Sequence, residues 1–269
     1  MNKLKFTKAV ATGNDFIIIE NQNFTSRKLR QLAIRLCRPK YGIGGDGLLV
    51  AEKSEIADLK MRIFNPDGTE VEMCGNGIRC FILWGHRNNF ISSKCKIETM
   101  AGIIPGKILK TGRVKVELRA EFLISPEIKI RYKGKNIKGY FIDTGVPHYV
   151  IITDKLQKEN VEKIGRFIRF HRYFTPRGTN VDFVQFKDNN LFVRTYERGV
   201  EEETLACGTG CVASVLVWGI KAGYRKGKFI VFPKSGERLK IEYRYGKDGF
   251  EKVTLEGKAD IVYEGYVYI

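Results

Sequence analysis

The sequence predicts an α/β (α+β) chain of two pseudo-symmetric domains, mostly strand with about two helices in each half. Three observations predict it. Cys74-Gly75-Asn76-Gly77 is echoed by Cys207-Gly208-Thr209-Gly210, and the two cysteines lie 133 residues apart (207 − 74) in a chain of 269. In both places the glycines open an apolar stretch of helical length, Ile78 to Trp84 and Val212 to Ile220. Around them, short runs rich in β-branched and aromatic residues alternate with glycine turns, which is the pattern of strands. No linker or low-complexity segment divides the halves, so the expected domains, 1–125 and 126–269, share an interface, and the tail strands are free to return to the first.

Taken in order, Leu4 to Val10 reads as a strand, Thr12-Gly13 as a turn, and Asp15 to Glu20 as a second strand. Thr25 or Ser26 caps a helix that carries Leu29, Leu32, Ala33 and Leu36 on one face and is stopped by Pro39. The glycine-dense Tyr41 to Gly47 precedes a strand, Leu48 to Glu52. A phosphate-binding loop should open a helix instead, so nucleotide binding is a weak reading. Leu59 to Phe64 is a strand ended by the turn Asn65-Pro66-Asp67-Gly68, and Glu70 to Met73 leads into Cys74. Short strands fill Lys94 to Arg119, and Pro126 to Asn136 reads as the crossover between halves. In the second half, Tyr140 to Asp143 and Tyr149 to Thr153 are strands around the turn Thr144-Gly145-Val146-Pro147-His148. Val161, Ile164, Phe167 and Ile168 mark a helix face, and Thr179 to Val184 echoes Thr12 to Ile17. Leu191 to Tyr196 delivers Glu197-Arg198, and Phe229 to Ile269 is strand and turn.

With 43% apolar residues, the chain can bury one large core or two smaller ones. Its net charge of +17 invites a nucleic-acid reading. The basic residues are spread from Lys3 to Lys258 and interleaved with acidic ones, which favours a solvated surface over a binding stripe. The opening residues lack the apolar core of an export signal, and the longest apolar run, Cys211 to Ile220, is too short to cross a bilayer. The expectation is a cytoplasmic protein with reduced thiols, binding neither nucleic acid nor membrane.

A thiol at a helix N-terminus has its pKa lowered, and the free amides beside it suit an anion. Two such thiols facing each other could flank a carboxylate-bearing substrate. One thiolate would remove an α-proton while the opposite thiol delivers one, inverting the centre with neither metal nor cofactor. Zinc is the competing reading. Cys207 and Cys211 have a ligand-like spacing, but Cys74 and Cys80 are six apart and none of the three histidines pairs with either set. Cys37, Cys80, Cys95 and Cys211 read as small buried hydrophobes.

The set TGNDF, FNPDGTEVEMCGNGIRC, GVPHYV, GTNVDF and YERGVEEETLACGTGC, in this order from Asn14 to about Gly219, resembles the diaminopimelate epimerase family. The resemblance implies two α/β domains, each a β-barrel-like sheet around a central helix, often paired as a homodimer. It implies a cofactor-independent epimerase converting LL- to meso-diaminopimelate for lysine and peptidoglycan synthesis. By the same resemblance, Cys207 is the proton acceptor and Cys74 the donor in that direction. Gly75-Asn76 and Gly208-Thr209 hold the reacting carboxylate and amine, and Asn14, Asn65, Asn180, Glu197 and Arg198 match substrate-contacting positions. His148 and Glu197 match residues that adjust the thiols' pKa values. Arg198 suits a fork onto the distal carboxylate, and Glu197 suits an ammonium.

Two positions depart from the family pattern. Val146 stands where the family commonly has a substrate-contacting Asn, and Gly47 where some members have a Gln. Val146 is the best argument for a racemase of another amino acid, such as histidine, on the same scaffold.

Overall fold

The β-branched runs become eighteen strands, and the apolar stretches become four α-helices, in a computed structural model that describes residues 3–118 and 122–269. The fold is mixed α/β and dominated by sheet. The chain forms two units. One comprises the chain up to Glu117 together with Glu256–Ile269, and the other runs from Leu118 to Leu255.

In the first unit, β1 (Lys3–Ala11) turns through Thr12 and Gly13, both at positive φ, into antiparallel β2 (Asn14–Glu20). Helix α1 (Ser26–Cys37), whose N-terminus is capped by the Thr25 hydroxyl, crosses to β3 (Gly47–Glu52), which runs parallel to β2. Strand β4 (Leu59–Phe64) pairs with β3 and with the short β5 (Glu70–Val71), which leads into α2 (Gly75–Arg87). Strands β6 (Lys94–Thr99), β7 (Gly102–Ile108) and β8 (Val114–Leu118) complete the sheet, with β6 parallel to β4. The last strand of the chain, β18 (Asp260–Tyr268), pairs antiparallel with β1. Every residue of α2 from Gly75 to Gly85 is buried, against β1, β2, β4, β7 and β18. Helix α1 covers the other face, where Leu29, Leu32 and Leu36 meet Ile17, Ile19, Leu48 and Val50.

The second unit repeats this plan strand for strand. Here β9 (Ile128–Tyr132) pairs with β10 (Lys135–Asp143) as β18 does with β1, so Pro126 to Asn136 is a hairpin and not a crossover. Lys133 and Gly134, both at positive φ, make its turn. Strand β11 (Pro147–Ile152) follows, then α3 (Val161–Arg169) and β12 (Asn180–Lys187) parallel to β11. Strands β13 (Asn190–Glu197) and β14 (Glu202–Thr204) lead into α4 (Gly208–Lys221). Strands β15 (Lys226–Phe232), β16 (Leu239–Tyr245) and β17 (Phe250–Gly257) follow, with β15 parallel to β13. Helix α4 is buried among β10 to β13, β15 and β16.

Register makes the repeat quantitative. Phe16 pairs with Gly47, Leu49 with Ile63 and Phe64 with Glu70; in the same places His148 pairs with Asn180, Asp182 with Thr195 and Tyr196 with Glu203. The resemblance of Thr179–Val184 to Thr12–Ile17 is therefore not a structural equivalence. Asn14 opens β2, while Asn180 opens β12, the counterpart of β3; the position matching Asn14 is Val146.

Helix α3 packs through Gly165 directly on Tyr196, within a core that includes Tyr149, Ile168 and Phe183. A Cβ at Gly165 would lie 2.4 Å from the Tyr196 Cβ. Alanine in a helix normally gains about 1 kcal/mol over glycine, but overpacking costs about 1–3 kcal/mol. Gly165→Ala is expected to lower stability by about 1–2 kcal/mol, read as a lower urea midpoint; an unchanged or higher midpoint would show that α3 can shift away from Tyr196.

Candidate active site

Each Cys-Gly-x-Gly motif is built the same way. Cys74 and Cys207 are the N-caps of α2 and α4, with extended backbone (φ −137°, ψ 120° and φ −113°, ψ 112°). Each sulfur accepts the amide of the residue three positions on: Gly77 N–H donates to Cys74 Sγ and Gly210 N–H to Cys207 Sγ, both at 3.4 Å. That leaves the amides of Gly75 and Asn76, and of Gly208 and Thr209, at the first two positions of their helices, where N–H groups lack intrahelical partners. The strand entering each cap is anchored by an arginine on its neighbour. Arg62 Nε and Nη2 donate to the two Glu70 oxygens at 2.7 and 2.9 Å. Arg194 does the same to Glu203 at 2.7 and 2.8 Å.

Helix position does not decide the ionisation of Cys207. Burial, then the carboxylates of Glu197 and Asp182, push its thiol well above the ordinary value, against the Thr209 hydroxyl and the Gly210 amide. The lowered pKa expected from the helix N-terminus is thus reversed at this cysteine, because desolvation of a thiolate outweighs a few partial charges. Cys74 is partly exposed, and none of the six cysteines, all of them among the described residues, is in a disulfide.

In the second unit the structure brings several expected residues together. The Arg198 backbone N–H donates to Asn180 Oδ1 at 2.7 Å. Asn180 Nδ2 donates to the Pro147 carbonyl at 3.1 Å and faces His148 Nε2 at 3.5 Å. His148 Nδ1 donates to Asp182 Oδ2 at 2.7 Å, and Thr195 donates to Asp182 Oδ1 at 2.7 Å, with His148 and Asp182 fully buried. Glu197 accepts from the Thr204 hydroxyl at 2.9 Å, and the Thr209 hydroxyl lies 3.4 Å from Cys207 Sγ. Burial, with Arg177 and Arg169 nearby, pulls the Arg198 guanidinium below its usual pKa; its Nη1 donates to the Arg177 carbonyl. Val146 offers its carbonyl to the Thr144 amide.

In the first unit, Asn76 Nδ2 donates to Asn14 Oδ1 at 2.5 Å and Asn14 Nδ2 to Asp46 Oδ2 at 3.0 Å. Arg79, wholly buried one turn into α2, donates to Asn76 Oδ1, the Thr12 hydroxyl and the Gly75 carbonyl at 2.9, 2.6 and 2.7 Å. Asn65 Nδ2 bonds to the Thr69 hydroxyl of its own turn. In the glycine-rich loop, the amides of Gly42, Gly44 and Gly45 go to carbonyls at the end of α1, and that of Asp46 to Asp15. Gly47 opens β3, where a Cβ would sit 3.2 Å from the Phe64 carbonyl oxygen. Residues not singled out from the sequence are Asp182, Thr195, Asp46 and Arg79. The available sign for Asp182 was a charge between Val181 and Phe183 inside an apolar strand.

Solved structures with this architecture include a PhzF-family phenazine biosynthesis protein from Bacillus anthracis, with TM-score 0.79 and 17% identity over the whole of both chains. A hydroxyproline epimerase from Agrobacterium vitis matches 98% of this chain and 92% of its own with TM-score 0.77 and 12% identity. The fold is therefore the one shared by the PhzF and hydroxyproline epimerase structures. Within that class the chain belongs to the diaminopimelate epimerase family, whose profile matches residues 6–120 and 140–262. The diaminopimelate epimerase of Aquifex aeolicus is 38% identical over 97% of each chain, and that of a Hydrogenobaculum species 41% identical over 96% of each.

The anchoring pairs carry a pH signature. Arg62 holds the Glu70 carboxyl below its usual range; at Glu203 burial pushes up, but Arg194 and Lys234 outweigh it and the net shift is also downward. A depressed folded pKa contributes stability above the unfolded value, about 4.3, which is lost as pH falls through the folded value. Glu203→Gln is expected to cost roughly 2 kcal/mol at pH 7, between exposed and fully buried pairs. Its urea midpoint should fall less than wild type's between about pH 5 and 3; parallel curves would mean the pair does not ionise as described.

Proposed function

We propose that the chain interconverts LL- and meso-2,6-diaminopimelate by moving the proton on one α-carbon, in lysine and peptidoglycan-precursor synthesis, without a cofactor. The observation that carries the reading is that a member of the diaminopimelate epimerase family presents both of its Cys-Gly-x-Gly cysteines as helix N-caps. In the LL-to-meso direction the Cys207 thiolate takes the α-proton and becomes a thiol. The electron pair of the broken C–H bond moves into the carboxylate, and the Cys74 thiol gives its proton to the opposite face of the carbon, becoming a thiolate. The reverse reaction exchanges the roles. An α-proton is a very weak acid, so a base as strong as the buried Cys207 thiolate suits its removal. The amides of Gly75, Asn76, Gly208 and Thr209 suit the charge that develops on the carboxylate, each such donor being worth about 3 kcal/mol.

Arg198 and Glu197 serve the distal carboxylate and an ammonium, with Asn14, Asn65 and Asn180 as further substrate contacts. Val146 cannot supply the amide contact its position makes elsewhere in the family, so distal recognition falls more heavily on Arg198. The same reading carries a cytoplasmic homodimer.

The test is deuterium uptake at the α-carbon from deuterated water, with LL-diaminopimelate and no added cofactor. Wild type should form deuterated meso isomer. Cys74→Ala and Cys207→Ala should each lose about a thousandfold, within the range for general acid–base groups. Turnover undiminished in both variants would overturn the two-thiol mechanism. Uptake with histidine or another amino acid alone would move the substrate.

A further inference from the structure

The two cysteines cap helices of one design, yet the sheets beneath those caps differ. Gly210, whose amide serves the Cys207 sulfur, lies against Asp182: a Cβ there would come within 2.3 Å of Asp182 Oδ1 and 3.1 Å of Thr195 Oγ1. At Gly77, the counterpart under Cys74, the neighbours at the same places are apolar. A Cβ there would sit 3.3 Å from Leu49 Cδ2 and 3.5 Å from Phe16 Cε1. Register identifies the exchange: His148 replaces Phe16, Asp182 replaces Leu49 and Thr195 replaces Ile63. One unit thus places a hydrogen-bonded carboxylate under the third residue of its cysteine helix, where the other places a hydrocarbon side chain.

A carboxylate in that place is costly and is built with care. It is fully buried, accepts from His148 Nδ1 and Thr195 Oγ1, and uses both oxygens. Its ring partner is itself held, because Asn180 faces His148 Nε2 and is fixed in turn by the Arg198 amide and the Pro147 carbonyl. A group so constrained cannot turn away from the helix start, and a charge in a dry site acts strongly over short distances. The ionisable groups around Cys207 are Asp182 from β12 and Glu197 from the end of β13, with His148 of β11 behind Asp182. Glu197 stands at the matching place to Asn65 of the first unit, so that second carboxylate is also particular to this side.

We propose that Asp182 is a positioning residue for Cys207: its carboxylate, locked by His148 and Thr195 beneath Gly210, is a fixed charge that opposes formation of the Cys207 thiolate, beside the burial of the thiol and the Glu197 carboxylate. The inference rests on the reading of Cys207 as a catalytic thiol. The third position of the helix has to be glycine for this arrangement, since any side chain would displace the carboxylate.

The experiment is iodoacetamide alkylation across pH, resolved to Cys207 and Cys74 by peptide mass spectrometry, on substrate-free protein. In wild type the midpoint for Cys207 should lie above that of a free cysteine peptide. In Asp182→Asn, which keeps the side chain's shape, the Cys207 midpoint should fall by about one unit, a tenfold gain in thiolate at a fixed pH. The Cys74 midpoint should stay in place. A purely structural role for Asp182 would expose Cys207, which lowers the midpoint by relieving burial but also raises the limiting alkylation rate, and that combination overturns the proposal. Loss of the charge alone lowers the midpoint with the limiting rate unchanged. Thr195→Val removes one hydrogen bond but keeps the charge, so its Cys207 midpoint should not fall; this variant and the wild-type midpoint suffice if Asp182→Asn does not fold. A wild-type midpoint at or below the free peptide's, an unmoved midpoint in Asp182→Asn, or equal movement of both cysteines overturns the proposal. Alkylation needs no substrate, so these outcomes are independent of whether Cys207→Ala abolishes epimerisation.

Discussion

A sulfur that caps a helix is the constraint on which the rest of the molecule depends. The cap requires an extended residue immediately before the first turn, and an amide three residues on that is free to reach back. Both requirements reach far beyond the cysteine. The extended backbone is supplied by a very short strand whose glutamate is clasped by an arginine on the neighbouring strand, 62 on 70 and 194 on 203. The close approach of helix to sheet is supplied by glycine at positions 77 and 210. Burying the helix on nearly all sides then demands strands around it and a second helix to cover the sheet's other face. The chain satisfies this demand twice with the same order of elements.

The two units share the frame and differ in their linings. The clasps are alike to within a tenth of an ångström, because both units need the same entry into the helix. The linings are complementary. Under Cys74 the sheet is hydrocarbon, and the polar network runs through Asn14, Asn76 and Arg79; under Cys207 it runs through His148, Asp182 and Thr195, with Val146 and Val212 at the places of Asn14 and Arg79.

Most of the fold could be read from the sequence because its determinants are local. The runs DFIIIE and LFVRTY have strand periodicity, Thr25 has a capping side chain, and the two glycine-flanked cysteines announce helix starts. What the local string does not carry is non-local. Residues 126–136 carry two lysines and a Lys-Gly turn that suit a connection equally well; only pairing with the next strand makes them a hairpin. The echo between Asn14 and Asn180 is a likeness of letters that register dissolves, because strand identity depends on partners absent from the local string. The site divided similarly. The cysteines can be read as helix starts from the string itself, whereas Asn14, Asn76, Asn180 and Arg198 enter only through the family resemblance, and their pairing belongs to the fold. The ionisation of Cys207 is not legible in the string, because burial and the Glu197 and Asp182 carboxylates brought up beside the thiol belong to the packed state. Asp182, one acidic residue in a strand, reads as solvent-facing, and here it faces the helix.

The pairing of β18 with β1 has a temporal meaning. Strand β1 waits for its edge partner until every residue of the second unit has been made, whereas that unit's corresponding strand finds β9 only two residues away. Loop closure between β1 and β18 spans almost the whole polypeptide, and long-range pairing of this kind is slow to nucleate. The unit encoded later is thus equipped to mature earlier. Until β18 is made, β1 presents an open hydrogen-bonding edge of nine residues, the kind of edge that invites misassociation.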